Sequence, residues 1–277
     1  MLWTASGIEG YAIRASDGVI GTVVDFLFAD DSWLVRWVVV DTGHWLSGRK
    51  VLLPPTVLGY PDLATREFPV RLTLQQIKDS PEIASDRPVS RQDETNVYGY
   101  YGWRPYWGDG FFMGGYGYAG DDWVGSQALG ASTREREIAN TRLNDGDPHL
   151  RSVAEVTGYH IHATDGEIGH VKDFLLEEAD WSIHYLVVDT MNWWPGNQVL
   201  ISPASAHDIN WPDKLVNLNV DRQTVKRSPG YDETTTVDRN YERRLHNHYG
   251  DVRAPGQPRS SGAGVARHPS GGNDDRR

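Results

Sequence analysis

Hydrophobic residues in the first third of the chain fall into short runs that are separated by turn residues. Two of these runs, residues 20–28 and 34–41, are rich in Val, Ile, Phe and Trp, which is typical of β-strands. Asp17 and Gly18 ahead of the first run predict a tight turn, because Gly adopts positive φ without strain. Gly21 lies inside that run and indicates a bulge or a sharp bend. The pattern predicts strands at residues 11–14, 20–28, 34–41, 51–53 and 70–72.

A short helix is predicted after the last of these strands. Residues 74–77 have helical character, and Thr73 can cap the helix together with Gln76 three residues later. The helix is expected to end at Ser80 and Pro81, because the residue before a proline is biased away from the helical conformation.

The whole pattern recurs 148 residues later without a gap. Residues 10–81 and 158–229 are identical at 26 of 72 aligned positions, counted along the printed sequence. In the second copy Asp221 takes the place of the helix cap. The sequence therefore predicts two copies of one domain, at residues 2–81 and 150–229. They are separated by a linker, residues 82–149, and followed by a tail, residues 230–277.

Each copy is small for an independent domain. Several short strands in about 75 residues favour a small closed or partly open β-barrel, because closure removes exposed strand edges. A domain of this size buries only about 60% of its unfolded surface. We therefore expect the two copies to pack against each other within one chain as a pseudo-symmetric pair, or the chain to form a homodimer.

A family resemblance lies in three stretches of the first copy, GYAIRASDGVIGTVVDFLF, WLVRWVVVDTG and GRKVLLPP. They resemble the PRC-barrel family, and the pattern recurs from Gly158. That family includes the cytoplasmic domain of the photosynthetic reaction-centre H subunit and the C-terminal domain of the ribosome-maturation factor RimM. The resemblance implies an all-β chain of two small PRC-type β-barrels in tandem, each with a short C-terminal helical turn. It also implies a protein that works through protein contacts and needs no cofactor.

The linker has an unusual composition. Residues 98–123 contain eleven aromatic residues and eight Gly in 26 positions, with no helical or strand period. Two interpretations stay open: a disordered adhesive segment, or an irregular strap over the barrels. The tail is polar and is predicted to be disordered. Aromatic side chains favoured at binding hot spots mark the candidate protein contacts. These are Tyr100, Tyr101, Trp103, Tyr106, Trp107, Trp194 and Trp211.

Other Trp residues recur in both copies. Trp33 matches Trp181, and Trp45 matches Trp193. Because the two copies share these positions, we predict that these side chains pack within the barrels or between them.

Four histidines belong to the second copy alone: His160, His162, His170 and His184. His160 and His162 share a strand face, and a bulge at Gly169 decides whether His170 joins it. A metal site would need a further ligand at a familiar spacing, and none is evident. Exposed histidines that make this surface sensitive to pH are the favoured interpretation.

Repeated aspartates raise the alternative of acid–base catalysis. Asp25 and Asp41 recur as Asp173 and Asp189, and a carboxylate pair can serve a hydrolase. Asp41 is better interpreted as a strand-end turn residue that bonds its own backbone, and Asp17 as a turn residue. We therefore expect no catalytic residues.

Composition and charge narrow the function classes. The formal net charge is −11, and residues 1–225 are strongly acidic, which disfavours nucleic acid as a partner. The chain has no Cys, so it has neither a disulfide framework nor a thiolate site. It shows no apolar run that is long enough for a membrane helix and no secretory signal. We expect a cytoplasmic protein, peripheral at the inner membrane only through a partner.

The sequence therefore predicts a non-catalytic protein-binding or scaffolding protein whose partner is not identified. Two alternatives stay open. The first is an accessory protein of a membrane photosynthetic or electron-transfer complex, by analogy with the H subunit. The second is a hydrolase that uses the repeated aspartates.

Overall fold

The computed structural model describes residues 1–81, 89, 91–103, 147, 149–190, 197–232 and 237–249. The first repeat, residues 2–81, contains six strands and two short helices. They are β1 (Leu2–Thr4), α1 (Ala5–Ile8), β2 (Ala12–Ala15), β3 (Gly18–Ala29), β4 (Leu34–Asp41), β5 (Lys50–Leu53), β6 (Glu67–Pro69) and α2 (Leu74–Lys78). Helix α3 (Arg91–Tyr101) follows in the linker.

The second repeat, residues 150–229, presents the same elements in the same order with one added strand, β12. They are β7 (Leu150–Ser152), α4 (Val153–Val156), β8 (His160–Ala163), β9 (Gly166–Glu177), β10 (Ile183–Asp189), β11 (Gln198–Ile201), β12 (Ala206–Asn210), β13 (Leu215–Leu218) and α5 (Arg222–Lys226). Strand β14 (Gly230–Tyr231) and helix α6 (Arg239–Tyr249) come after it. The described part of the chain is thus rich in strands, with several short helices.

The predicted strands form, with one shift in position. Four of the five lie within two residues of their predicted bounds. The strand predicted at residues 70–72 lies three residues earlier and ends at Pro69. Beyond it the amide of Val70 still donates to the carbonyl of Arg14 at 2.8 Å, and Val70 forms an isolated bridge to Leu58. The Thr73–Gln76 capping box and the Asp221 cap are both present.

The strands form two sheets. The first runs in the order β5-β4-β3-β2-β6, and the second runs β12-β13-β8-β9-β10-β11-β14. Strands β2 and β6 are parallel, as are β8 and β13, and the other pairs are antiparallel. Among the described strands neither ladder closes on itself. The structure thus has open sheets rather than the closed form of the predicted barrel.

Gly21 and Gly169 lie where the backbone passes very close to the end of the neighbouring strand, at Asp41 and Asp189. The register shifts beside both residues, which is the predicted bulge. A Cβ atom on Gly21 would lie 1.9 Å from the carbonyl oxygen of Asp41, and one on Gly169 would lie 2.0 Å from that of Asp189. Only glycine fits at either position.

The two repeats exchange their first strands. β1 pairs with β9 of the second repeat, and β7 pairs with β3 of the first. Where the repeats meet, Leu34 bridges Ser182, its own counterpart 148 residues later. The amide of Val35 donates to the carbonyl of Trp181 at 3.0 Å, and that of Ile183 donates to Trp33 at 2.7 Å. The exchange is therefore reciprocal, as a two-fold relation requires.

One hydrophobic core runs through both repeats. It joins Ile20, Phe26 and Phe28 of the first to Phe174 of the second without a break. The rings of Phe28 and Phe174 lie 5.8 Å apart, and Trp181 reaches back to within 6.2 Å of Phe26. Trp33 and Trp181 therefore pack at the junction between the repeats, as predicted.

The linker was expected to be disordered or an irregular strap, and the tail to be disordered, but one segment of each forms a helix. α3 covers the first sheet, where Val97 and Tyr98 are buried against Trp37. α6 covers the second sheet through Tyr241 and Leu245, which are four residues apart and share one helix face. In both cases a few apolar side chains on a largely polar helix supply the contact. Among the helices described, none is long and apolar enough to span a membrane.

Candidate interaction surfaces

An apolar groove opens at the junction of the two repeats. It has a volume of about 610 Å³. One wall is the turn at residues 54–61, the floor is Phe68 with Trp181, and the far wall is the loop at residues 178–181. The rings of Phe68 and Trp181 lie 6.0 Å apart, which fixes the floor. We call this the Tyr60 groove.

The elements around the Tyr60 groove hold its aromatic side chains in place. Trp3 enters from the exchanged strand β1, and Trp181 has φ of 58° in the turn before β10. Pro54 and Pro55 begin a 3-10 turn that brings Tyr60 to the rim. Tyr60 is 83% exposed and Leu34 is 43% exposed. Exposed large apolar side chains grouped on one side of a groove are typical of a contact surface.

Two carboxylates line the Tyr60 groove, and one of them, Glu178, lies 3.6 Å from the amino group of Met1. Arg36 lies in the groove but is bound by Asp147 at 2.5 Å and lies 3.9 Å from Glu94. Glu178 and Asp180 stand on the opposite wall. Burial acts to raise the pKa of Asp180, but hydrogen bonds from the backbone and side chain of Ser182 hold it below its usual range. The groove therefore combines an apolar floor with an acidic rim.

A second groove, of about 300 Å³, lies at the equivalent place on the other repeat. Here Asp208 stands where the first groove has Tyr60, and Arg151 stands where it has Trp3. Asp30 pairs with Arg151 at 2.7 Å and with His149 at 2.9 Å. Charged groups that pair with Asp30 thus line this space. We call it the Asp208 groove.

Three of the predicted contact residues form a strap over the first repeat. Tyr101 and Trp103 stack with their ring centres 4.0 Å apart, and both pack against the hydrophobic clusters. The hydroxyl of Tyr100 donates to the carbonyl of Gln76 at 3.0 Å. Residues 98–103 thus pack on the first repeat, and the rest of residues 98–123 lies outside the described residues.

The other predicted contact residues divide into two groups. Trp211 is half-buried and lies under the guanidinium of Arg151 at 4.9 Å, so it has a partner within its own chain. Tyr106, Trp107 and Trp194 lie outside the described residues.

The histidines of the second repeat lie on one sheet but do not form a metal site in the part that the structure describes. His160 stands opposite His170, so the latter joins that face, and His162 lies further along the strand. His160 pairs with Glu167 at 2.8 Å, and His184 lies 3.6 Å from Glu177. Both contacts lie within the second repeat, and pH sensitivity of this surface stays a prediction.

The repeated aspartates bind backbone and hydroxyl groups of the opposite repeat. The carboxylate of Asp25 accepts from the hydroxyl of Ser152 at 2.6 Å and from the amide of Ala154 at 3.0 Å. In the same way Asp173 accepts from the amide and hydroxyl of Ser6. Burial raises the pKa of Asp25, although these hydrogen bonds oppose the rise. Each aspartate caps the first helix of the other repeat.

Two further aspartates also act on the backbone. Asp41 accepts from the amide of Gly43 at 2.8 Å, as the strand-end turn interpretation requires. Asp17 was interpreted as a turn residue and additionally accepts from the amide of Leu74 at 2.8 Å, at the start of α2. Asp165 does the same for Arg222.

Sequence reasoning missed the Tyr60 groove. Its walls come from residues 3, 54–61 and 178–181, which are far apart in the chain. One signal was present: Tyr60 and Pro61 have no like residue in the second copy, where Asp208 and Ile209 stand. Positions at which two copies differ point to the surface that only one of them uses.

Comparison with known proteins supports the family assignment for the first repeat. A search of the curated proteins finds no match. The model of the PRC-barrel domain matches residues 4–68, which run from the end of β1 to β6. The first repeat of this chain therefore belongs to the PRC-barrel domain family.

Proposed function

We propose that this chain is a non-catalytic scaffold protein in which two PRC-type repeats form one body and the Tyr60 groove binds a segment of a partner protein. The PRC-barrel domain in residues 4–68 suggests a protein-interaction role. The observation that carries the proposal is the grouping of Tyr60, Leu34 and Trp181 around an acidic rim. A partner segment with proline or aromatic residues and flanking Arg or Lys fits this chemistry.

The second repeat is proposed to be a PRC-type domain as well. Supporting observations are its order of elements, which matches that of the first repeat apart from the added strand β12, and two matched pairs of positive φ angles. Trp33 and Trp181 have φ of 57° and 58°, and Arg66 and Lys214 have φ of 56° and 51°. Such values are uncommon for residues other than glycine, so their recurrence at one offset favours a shared fold. In this proposal the second repeat completes the junction, whereas the first supplies the contact surface.

Absence of enzymatic activity is part of the proposal. Asp25 and Asp173 are engaged in capping helices of the opposite repeat, which leaves them poorly placed to act on a substrate. We propose a cytoplasmic location, with membrane association only through a partner.

Crosslinking in native cells tests the proposed contact surface. A photo-reactive phenylalanine analogue at position 60 should crosslink to a defined protein, whereas the same analogue at position 208, the equivalent place on the other repeat, should not. Equal crosslinking from both positions, or none from position 60, would refute the proposed site. Separating soluble from membrane fractions assigns the partner, and a membrane electron-transfer partner would favour the H-subunit-like alternative.

A further inference from the structure

Helix α6 is the counterpart of α3 in the second repeat. Its first and last residues follow those of α3 at the offset of the repeat, 148 residues. The contacts recur as well. The hydroxyl of Tyr100 donates to the carbonyl of Gln76 at 3.0 Å. At the equivalent place, Nε2 of His248 lies 2.7 Å from the carbonyl oxygen of Thr224. The two helices therefore cover their sheets in the same way, and their outward faces can be compared residue by residue.

The outward face of α6 is cationic. Tyr241 and Leu245 lie against the second sheet, so the helical period turns Arg239 and Arg243 away from it. Both arginines are exposed, as is Arg244 beside them. Three positive charges thus stand on one short helix.

The one carboxylate of α6 faces the sheet instead. Glu242 is half-buried, and burial together with the charge of Glu242 raises the pKa of Tyr185 to about 12. Because Tyr185 belongs to β10 of the second sheet, this contact places Glu242 on the inner side of the helix. No acidic side chain of α6 therefore stands among its arginines.

Two of the three guanidinium groups are held in position by neighbours that leave their charge uncompensated. The guanidinium of Arg244 lies over the ring of Tyr241 at 5.1 Å, and Nη1 of Arg243 donates to Oδ1 of Asn240 at 3.2 Å. Among the residues that the structure describes, no carboxylate forms an ion pair with any of the three arginines. Each guanidinium has five N–H donors, so most of them stay available to an acceptor.

This charge belongs to the second repeat alone. In α3 the places of Arg243 and Arg244 are taken by Thr95 and Asn96. The formal net charge of the chain is −11, so the outward face of α6 reverses the charge of the body that carries it. Positions at which the two copies differ again mark a surface that only one of them presents.

The size of the cationic face favours a small acidic ligand. An extended polyanion, such as a nucleic acid or an anionic bilayer, reaches past the helix and meets the acidic body, which repels it. A short segment of protein contacts the helix alone. Arg239 and Arg243 are separated by about 6 Å along the helix axis. Carboxylates two residues apart in an extended chain are separated by about 7 Å, which fits this spacing.

We propose that the outward face of α6 is a second contact surface, separate from the Tyr60 groove, and that it binds a short acidic segment of a partner protein through Arg239, Arg243 and Arg244. Carboxylates that accept hydrogen bonds from guanidinium groups supply the recognition. The surface does not depend on the Tyr60 groove, so its failure would leave the function proposed above standing.

Binding of a fluorescein-labelled hexaglutamate peptide to the full-length chain tests this surface. Fluorescence anisotropy is measured at an ionic strength of about 0.01 M, where charges are weakly screened. Arg243→Thr with Arg244→Asn gives α6 the residues of α3 and should weaken binding at least about fivefold. The matched control, Arg71→Thr with Lys78→Asn, removes two exposed positive charges from the first repeat and should bind as the unchanged chain does. A hexaglutamine peptide should bind neither chain.

A second variant guards against a loss of structure. Arg239→Gln with Arg243→Gln leaves Arg244 on the ring of Tyr241, so the thermal melting of the chain should be unchanged while the peptide is lost to a similar extent. Equal weakening by the control, binding that survives both α6 variants, or no binding to the unchanged chain would overturn the proposal. If vesicles of phosphatidylglycerol and phosphatidylcholine, or a single-stranded oligonucleotide, bind through these arginines and hexaglutamate does not, the ligand is a membrane or a nucleic acid and the acidic protein segment is wrong.

Discussion

The Tyr60 groove and the Asp208 groove occupy equivalent places on two copies of one scaffold, yet their chemistry is opposite. One presents Tyr60, Trp3 and an aromatic floor, and the other holds Asp30 in ion pairs with Arg151 and His149. The backbone around the two grooves agrees at the positive φ of Trp33 and Trp181, but residues 206–210 form strand β12 whereas residues 58–62 make only isolated bridges. The difference therefore lies in side chains and in this one strand.

At the junction between the repeats, by contrast, equivalent residues of the two copies make equivalent contacts. Asp25 and Asp173 each cap a helix of the opposite repeat, and Leu34 meets Ser182 on the line between the copies. Residues with structural roles are thus the same in both repeats. The residues proposed to contact a partner are instead found in only one of them. The predictions below test both halves of this statement.

Separating the repeats should have the largest effect. In the fragment 1–103 strand β1 loses its partner β9, and β3 loses β7. Exposed strand edges and a divided core favour pairing with another copy. We expect the fragment to unfold or to dimerise by exchanging β1, as measured by sedimentation and thermal melting. A stable monomer that melts as cooperatively as the full chain would contradict the shared core.

Removing the buried charge under α3 should have the next largest effect. Glu94 is fully buried and accepts a hydrogen bond from the indole of Trp37 at 2.7 Å, with Arg36 3.9 Å away. Glu94→Ala leaves both partners buried with this acceptor removed, which we expect to cost about 3 kcal/mol of unfolding free energy. Urea unfolding measures it, and Glu94→Gln, which keeps an acceptor, should cost clearly less. Equal losses would show that the charge has no special role.

The second repeat should respond to high pH through its buried tyrosines. Burial raises the pKa of Tyr185, Tyr241 and Tyr249 to about 12, above the unfolded value of about 10. Because the raised pKa favours the protonated form in the folded state, the stabilisation is complete below pH 10 and is lost between pH 10 and 12.

Partial exposure of these rings reduces the energy, so we expect a loss of roughly 1–2 kcal/mol by pH 11. Absorbance titration should show three tyrosines that ionise late, and urea unfolding at pH 9 and 11 gives the stability change. Tyr185→Phe should remove part of the pH dependence. Ionisation of all tyrosines near pH 10 would contradict the proposed burial of α6 on the second sheet.

Local sequence patterns were enough to predict the strands and the helix caps. The Thr73 capping box and the bulge at Gly21 depend on neighbours within a few residues, and both are present. The exchanged strands were missed because β1 and β7 are three residues long and carry no readable period.

Helix α6 and the Tyr60 groove were missed for different reasons. α6 carries its buried Tyr241 and Leu245 at a helical spacing, but the surrounding residues are so polar that the tail was interpreted as disordered. The groove depends on three chain segments that meet only after the repeats exchange strands. No pattern within one repeat could predict it.

Exchanging the two groove residues should have the smallest effect on stability and the sharpest effect on binding. Tyr60 is 83% exposed, so Tyr60→Asp is expected to change the unfolding free energy by no more than about 0.5 kcal/mol. The same variant should no longer bind the crosslinked partner. It replaces an aromatic side chain at the rim with a carboxylate, as in the second groove, where Asp208 stands among other charged residues. The reverse change, Asp208→Tyr, should gain no partner, since Asp30 and Arg151 still occupy that groove. Urea unfolding and affinity capture of the partner identified from position 60 measure the two effects. A partner that still binds Tyr60→Asp, or one that follows the tyrosine to position 208, would show that binding does not depend on the chemistry that separates the grooves.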